Sequence, residues 1–298
     1  MRPLSILGAS SLSFPAAPPH KRVEEAFDAL WAGKFRKIGR FIKLALAGAA
    51  LAVKHAGLQS LPARRTGVFL GTGLGNLADL VPFVQSLYET GGIPSPIQFA
   101  NSVGNSGAFY IAQAYALEGP VLAICQDEVS FEAAVTNAAS LLHAGEIDLA
   151  LVGGVDAFVP PLSDHLARLG HDPVTHGGLA LGEGAGFWVL SSQEGQGLAQ
   201  LLDASVGGVD PRAALTSQLA FGGARRLFLS DRLRPHQAAL LDLLGPGAAP
   251  VASHSGTFPT EAAAAAADFV LSDAGGLFHS MSATREGLLG TLTVRKGQ

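Results

Sequence analysis

Two side chains with nucleophilic or acid–base chemistry lie three residues apart near the middle of the chain. Cys125 ends the apolar segment VLAIC at 121–125, which predicts a strand, and Glu128 opens a helix predicted near 128–144. A thiolate attacks carbonyl carbons, and helix polarity stabilises a carboxylate at a helix start. Because Cys125 follows an apolar strand, we expect a buried structural thiol. We expect Glu128 to cap its helix rather than act in catalysis.

A glycine-rich segment, GTGLG at 71–75, invites comparison with phosphate-binding loops. It follows an apolar segment that predicts a buried strand, and a helical pattern around 76–90 comes next. The segment lacks the full spacing of a dinucleotide fingerprint and the Lys-Ser/Thr ending of a P-loop. We therefore expect a turn in a βα unit and no phosphate site.

The elements that position these residues alternate between strands and helices. Residues 4–13 predict a strand, 22–32 a helix, and 34–54 an amphipathic helix that ends at Gly57. A further strand is predicted at 148–158, and a right-handed crossover makes it parallel to the strand at 121–125.

The remainder of the chain continues this alternation. Short strands are predicted at 226–230 and 250–253, with a helix at 236–244 between them. The Ala-rich segment 261–271 predicts a buried helix, because Ala favours helix and permits close packing. Strands are expected to pair at 276–283 and 287–296. Together these patterns predict two sheets sandwiched with helices.

Composition narrows the classes of function. The chain has 298 residues, of which 48% are hydrophobic, so it can bury a large core. A net charge of −4 without a basic field disfavours nucleic acid. The single cysteine excludes an intramolecular disulfide and favours the cytoplasm. The apolar segment 44–53 is too short to cross a bilayer, so we expect neither membrane insertion nor export.

Four segments in order resemble the β-ketoacyl synthase family: GTGLG, NSVGNSGAFYIAQAYALEGP at 101–120, HAGEIDLALVGGVDAF at 143–158 and LGEGAGFWVL at 181–190. The resemblance implies an α/β fold with thiolase-like α-β-α-β-α layers, built from two related halves. We expect an N-terminal half at 1–200 and a shortened C-terminal half at 201–298, together forming one compact unit. The small residues of these motifs are expected to make structural turns, namely Gly153, Gly154, Gly182, Glu183, Gly184 and Gly186.

The same resemblance implies a catalytic Cys at the start of the helix after GP, and two histidines. An ungapped alignment of 119–135 puts Glu128 at the nucleophile position, and only a three-residue shift would put Cys125 there. The histidine positions fall on Asp231 and Thr257. A carboxylate at such a position opposes a developing oxyanion. Neither a metal nor a cofactor is implied.

The chain therefore resembles a chain-length factor, the ketosynthase β subunit that shapes the acyl tunnel of an active partner. This role implies a heterodimer with an active ketosynthase and access to an acyl carrier protein through the complex. The partner interface is expected at Val121, Leu122, Ala123, Ile124 and Cys125.

Two other functions stay open. One is a self-sufficient acyltransferase or decarboxylase that uses Glu128, Cys125 or His254, which turnover by the isolated protein would favour. The other is a non-enzymatic scaffold, which a continuous apolar tunnel would count against.

Overall fold

The computed structural model describes residues 2–15, 21–31, 33–88, 95–160, 164–165, 167, 181–193, 195, 197–219, 221, 225–252 and 256–297. Ten strands are described: β1 (Leu4–Pro15), β2 (Thr66–Gly71), β3 (Val121–Ile124), β4 (Leu149–Asp156), β5 (Gly182–Ser191), β6 (Ala199–Val206), β7 (Arg225–Leu229), β8 (Ala249–Pro250), β9 (Gly276–Ala283) and β10 (Leu289–Lys296).

The described helices alternate with these strands. They are α1 (Arg22–Trp31), α2 (Arg40–His55), α3 (Leu77–Tyr88), α4 (Pro96–Ser102), α5 (Ser106–Tyr115), α6 (Ser130–His143), α7 (Pro211–Gln218), a 3₁₀ helix (Asp231–His236), α8 (Gln237–Leu244) and α9 (Glu261–Leu271).

The strand order is the same in the two halves of the sheet. The first half runs β3-β2-β4-β5-β1 and the second, read from its far edge, runs β8-β7-β9-β10-β6. In each half the first three strands are parallel and the last two pair antiparallel. This repeat is the topology expected of two related halves. The predicted boundary at residue 200 falls inside β6 and stays a prediction.

The prediction of two separate sheets is wrong in one respect. Strand β1 pairs antiparallel with β6 from Leu4↔Leu201 to Ile6↔Ala199, so the halves form one ten-stranded sheet. The two strands meet at inner edges whose backbone groups would otherwise lack partners, which explains the join.

The helices form three layers around the two halves of the sheet. Helix α2 packs on β1, β4 and β5 from outside, and α7 and α8 cover the outer side of the second half. Helix α6 lies between β2 and β4 on one side and β6 and β10 on the other, and α9 lies between β5 and β9. The layer order is therefore α-β-α-β-α, as the resemblance implied.

The small residues expected in turns instead lie inside paired strands. Gly153 and Gly154 are in β4, and the GEGAG motif, from Gly182 through Glu183 and Gly184 to Gly186, begins β5. Side chains at Gly154 and Gly186 would collide with Thr260 and Ala263 of α9. These glycines are needed because the buried Ala-rich helix lies against the sheet, not because the chain reverses there.

Several element boundaries differ from the predictions. Helix α2 begins at Arg40 rather than Lys34, because Lys37 has a φ of 59° and Gly39 is the N-cap residue. Of the strand predicted at 250–253, Pro250 lies in the short strand Ala249–Pro250, residues 251 and 252 are not in a strand, and residue 253 lies outside the described residues. The expected pairing of β9 with β10 is confirmed, and the structure shows that it is antiparallel. None of the described helices combines the length and the apolar character that a membrane crossing requires.

Candidate functional site

The connection from β3 to α6 is a tight, strained elbow. Asp127 has a φ of 51°, in the left-handed region that non-glycine residues rarely adopt. Ser130 holds the turn together, because its Oγ accepts a hydrogen bond from Gln126 N at 2.8 Å and donates to the carbonyl of Asp127 at 2.6 Å. The elbow directs Glu128 into the interior, where the residue is 2% exposed.

Glu128 forms an ion pair with Arg232, which lies on the 3₁₀ helix of the second half. The distance from Arg232 Nε to Glu128 Oε1 is 3.2 Å, and Arg232 Nη2 lies 3.8 Å from Asp127 Oδ2. The expected helix cap is not what the structure shows, since α6 begins at Ser130 with Val129 as its N-cap residue. The carboxylate of Glu128 therefore faces a guanidinium of the second half and does not cap the helix.

The two positions implied for histidines share a second arginine. Arg234 Nη1 lies 3.4 Å from Asp231 Oδ1, and Arg234 Nη2 lies 3.0 Å from Thr257 Oγ1. The same guanidinium is 3.5 Å from Glu261 Oε2 at the start of α9. Asp231 and Thr257 are buried. Arg234 therefore brings together two positions that are 26 residues apart in the sequence.

Arg232 and Arg234 are the site residues that sequence reasoning missed. The signal was the alternating charge of Asp231, Arg232 and Arg234 after the apolar strand β7. In a short 3₁₀ helix, residues three apart lie on the same side, which places Asp231 against Arg234. The pairing of Arg232 with Glu128 required the tertiary structure.

The resulting cluster has little capacity for acyl transfer. Glu128 is buried and paired with Arg232, and guanidinium groups stay protonated, so neither arginine serves as a base. Neither Asp231 nor Thr257 supplies the imidazole of the family pattern. His254 lies outside the described residues. Among those described, no grouping of three His, Cys, Asp or Glu side chains suits a metal ion.

Cys125 is exposed, so the prediction of a buried thiol is wrong. Strand β3 is at the edge of the sheet and ends at Ile124, which leaves the next side chain outside the core. The Sγ of Cys125 lies 3.7 Å from the carbonyl oxygen of Gly73. Partial desolvation, together with the charges of Asp156 and Asp127, raises the pKa of Cys125. A raised pKa keeps the thiol protonated and weakens it as a nucleophile.

The glycine-rich loop after β2 is bonded to the buried carboxylate of Asp156. Asp156 Oδ1 accepts from Gly73 N at 3.0 Å and Leu74 N at 2.9 Å, and also from Thr72 Oγ1. Asp156 Oδ2 accepts from Thr260 N and Thr260 Oγ1. Burial raises the pKa of Asp156, while the hydrogen bonds from Leu74, Thr260 and Thr72 oppose that shift. The loop amides that would face a phosphate thus bind an internal carboxylate.

A cavity of about 750 Å³ lies beside the cluster. Its basic and acidic lining residues include Arg212, Asp231, Arg232, His236 and Arg285. The apolar part of the lining comes from Leu233, Leu240, Ala283 and Leu289. Arg285 also reaches the elbow through its backbone, because Arg285 N donates to Asp127 Oδ2 at 3.3 Å.

Exposed apolar side chains lie on β3 and on the helices α3, α4 and α5, of which α5 contacts β3, α4 contacts α5 and α3 contacts α4. Strand β3 bonds only to β2 among the described strands, and its first two side chains are exposed. Helix α3 has no buried residue, and it packs on α4 through a contact of 5.7 Å between the ring centroids of Phe83 and Phe99. The exposed large apolar residues here, which we call the β3 surface, are Leu80, Val81, Val84, Leu87, Tyr88, Ile97, Phe99, Val103, Phe109, Val121 and Leu122.

Comparison with protein families and curated proteins finds ketosynthases. The sequence model of the family "Beta-ketoacyl synthase, N-terminal domain" matches residues 17–195. The chloroplastic 3-oxoacyl-[acyl-carrier-protein] synthase I of Arabidopsis thaliana is 29% identical over 153 residues, covering 46% of this chain and 32% of that protein. Nodulation protein E of Rhizobium meliloti is 30% identical over 166 residues, covering 52% of this chain and 41% of that protein. The matched segment thus spans less than half of each relative.

Solved structures share the fold over the whole chain. The ishigamide ketosynthase/chain length factor has a TM-score of 0.76 at 19% identity, with 99% of each chain covered. A β-ketoacyl synthase from Burkholderia phymatum has a TM-score of 0.74 at 15% identity, with 100% of each chain covered. A type II polyketide synthase acyl-carrier protein in complex with its ketosynthase gives 0.73 at 14% identity, with 99% of each covered. At these identities the similarity shows the thiolase-like ketosynthase fold.

Proposed function

Because the chain belongs to the β-ketoacyl synthase family, we propose that it is the non-nucleophilic, chain-length-factor-like subunit of a heterodimeric β-ketoacyl synthase. The active partner forms the carbon–carbon bond, and this chain shapes the partner's acyl tunnel in polyketide or fatty-acid-type biosynthesis. The observation that carries the proposal is that Glu128, which the resemblance aligns with the nucleophile position, is buried and paired with Arg232. The same proposal places the complex in the reducing cytoplasm, where Cys125 stays a thiol.

The electrostatics of the cluster support a non-catalytic role. Condensation needs a thiolate that accepts the acyl group and donors that stabilise negative charge on the thioester oxygen. Here Glu128 and Asp231 are carboxylates that pair with Arg232 and Arg234. The nearby positive charges are therefore engaged in these ion pairs and do not stabilise negative charge on a thioester oxygen. The site therefore holds a network of carboxylates and guanidinium groups in place of a nucleophile and two imidazoles.

The β3 surface supports a protein partner. Large apolar side chains exposed together mark interfaces, and an open strand edge offers unpaired backbone groups to another strand. We propose that Val121, Leu122, Ala123, Ile124 and Cys125 pair antiparallel with the matching strand of an active ketosynthase. Helices α3 and α4 then bury their apolar residues against the same partner. An acyl carrier protein is the second proposed partner, acting through the complex, as in the solved carrier-protein complex of similar fold.

Co-expression with a ketosynthase encoded beside this chain tests the proposal. We expect a one-to-one complex in size-exclusion chromatography with light scattering, and product from acyl- and malonyl-carrier substrates only when both subunits are present. Replacing the partner's own catalytic cysteine by alanine is the matched control and should abolish product while preserving the complex. Turnover by the isolated chain, or product from the complex with that control variant, would contradict the proposal.

A further inference from the structure

One residue, Arg232, both lines the cavity of about 750 Å³ and contacts Glu128 of the elbow. We propose that Arg232 is a plug, which closes the inner end of the cavity so that a ligand can occupy the cavity without reaching position 128. This inference deepens the proposed function and rests on it, because it explains how the chain keeps an entrance beside a site that does no chemistry.

The geometry places Arg232 between the two compartments. Its side chain lines the cavity and keeps 16% of its surface exposed, whereas its Nε lies 3.2 Å from the carboxylate of Glu128. Glu128 is 2% exposed and is not among the described residues that line the cavity. Arg285 makes a second connection from the cavity wall, since its backbone N–H bonds to Asp127. Arg232 and Arg285 therefore both connect the lining of the cavity to the elbow.

Charge keeps the plug in place. Asp127 and Glu128 both lie within 4 Å of the guanidinium of Arg232. If Arg232 swung out into the cavity, Glu128 would be left buried without its cation, which is strongly unfavourable in the interior. The closed position is therefore the stable one.

The backbone that carries Arg232 is also fixed. Two residues later, Arg234 contacts Thr257 and Glu261, which lie at the start of the central helix α9. The 3₁₀ helix is thus attached to the elbow through Arg232 and to α9 through Arg234. Withdrawal of the whole 3₁₀ helix would break both sets of contacts, so the cavity cannot deepen by moving that helix alone.

A reporter thiol tests the plug. Glu128→Cys is prepared alone and combined with Arg232→Ala or with Arg212→Ala, and iodoacetamide alkylation at position 128 is followed by peptide mass spectrometry. In this background Asp127, whose Oδ2 lies 3.8 Å from Arg232 Nη2, is the carboxylate that still holds the guanidinium. Arg212 is the matched control, because it lines the same cavity and is exposed. Alkylation tracks the population of open conformers, so Arg232→Ala should raise the rate at position 128 by about tenfold or more. Arg212→Ala should leave the rate unchanged. Loss of a nearby cation disfavours the thiolate, so an increase cannot come from a lowered thiol pKa.

Three results would overturn the plug: an unchanged rate in the Arg232→Ala variant, an equal increase with Arg212→Ala, or equally fast alkylation of position 128 and Cys125 while Arg232 is present. Folding of each variant is checked by circular dichroism. Glu128→Cys combined with Arg232→Lys is a second test, because lysine keeps the charge but lacks the planar guanidinium. We expect an alkylation rate at position 128 between those of Glu128→Cys alone and Glu128→Cys with Arg232→Ala. Free alkylation in a chain that still assembles with a ketosynthase would refute the plug alone. Slow alkylation without assembly would refute the proposed function alone.

Discussion

Glu132 on α6 accepts a hydrogen bond of 2.6 Å from Ser282 on β9, which ties the central helix of the first half to the sheet of the second half. The carboxyl group is fully buried, and its second oxygen, Oε2, has no hydrogen-bond partner in the structure. Burial raises the pKa of Glu132 to about 7, although the bond from Ser282 opposes the shift. The two halves are therefore joined by a group that is neutral in mildly acidic solution.

This burial predicts a pH-dependent stability. Below the unfolded-state pKa, Glu132 is protonated in both states and its contribution is fully present. As pH rises towards 7 the unfolded chain releases the proton first, so stability falls. Glu132→Gln mimics the neutral acid and should remove a loss on the order of 1–3 kcal/mol at pH 8. Urea unfolding between pH 5 and about 8 measures the difference. Equal pH slopes in the two proteins would contradict the prediction.

His279 predicts a loss of stability on the acidic side. It is buried on β9, where Nδ1 lies 3.2 Å from Gln218 Oε1 and 3.1 Å from Thr293 Oγ1. Burial, assisted by the charge of Arg225, lowers the pKa of His279 to about 4. As pH falls from the unfolded value towards 4, the unfolded chain takes up the proton first and stability is lost. His279→Asn should flatten this part of the stability profile, which thermal melts between pH 4 and about 6.5 would show.

Loss of Glu128 should destabilise the fold more than it changes turnover. Glu128→Ala leaves Arg232 without its main partner, and we expect a cost of about 2–3 kcal/mol, below the range for fully buried pairs because Arg232 keeps 16% exposure. Removing both charges in Glu128→Ala with Arg232→Met should recover part of this loss. Urea unfolding gives the stability, and product formation by the assembled complex gives the turnover. A large loss of product at unchanged stability would instead indicate a chemical role.

The isolated chain should not form an acyl-enzyme. The raised pKa of Cys125 disfavours its thiolate, and Glu128 is buried in an ion pair. Intact-mass measurement after incubation with an acyl-carrier substrate is expected to show no adduct. Cys125→Ser is the control, because an adduct present in the natural sequence and absent from this variant would assign acylation to Cys125 and refute the prediction.

A charge on the β3 surface should prevent assembly. Leu122 is 40% exposed on the edge strand, so Leu122→Glu leaves the isolated chain folded but places an unpaired charge in the proposed interface. Leu271→Glu is the matched control, since Leu271 is 41% exposed at the end of α9, outside the β3 surface. We expect the first variant to weaken the complex by about 100-fold or more in Kd and the second to leave it unchanged. An assembled, active Leu122→Glu complex would rule out this interface.

The pattern of residues within each segment was sufficient to predict most of the strands and helices. Alternation of apolar residues predicts β9 and β10, and the Ala-rich segment predicts the buried helix α9, because these signals depend on neighbours within one element. The ungapped segment from Gly119 to Glu128 likewise places a carboxylate at the start of the nucleophile helix, and the structure puts it in the elbow.

The sequence by itself determined the identity of Glu128, Asp231 and Thr257, the residues that the resemblance aligns with the family's thiol and imidazoles. Only the tertiary structure decided what those side chains contact. Arg232 meets Glu128 because the 3₁₀ helix after β7 lies against the elbow after β3, a contact between segments about 100 residues apart that no local periodicity encodes. Cys125 is exposed because β3 lies at the edge of the sheet. The glycines of β4 and β5 lie in strands rather than turns, and they are needed there because α9 packs closely against the sheet. Each outcome depends on how separate elements pack, because burial and charge pairing are properties of the assembled layers.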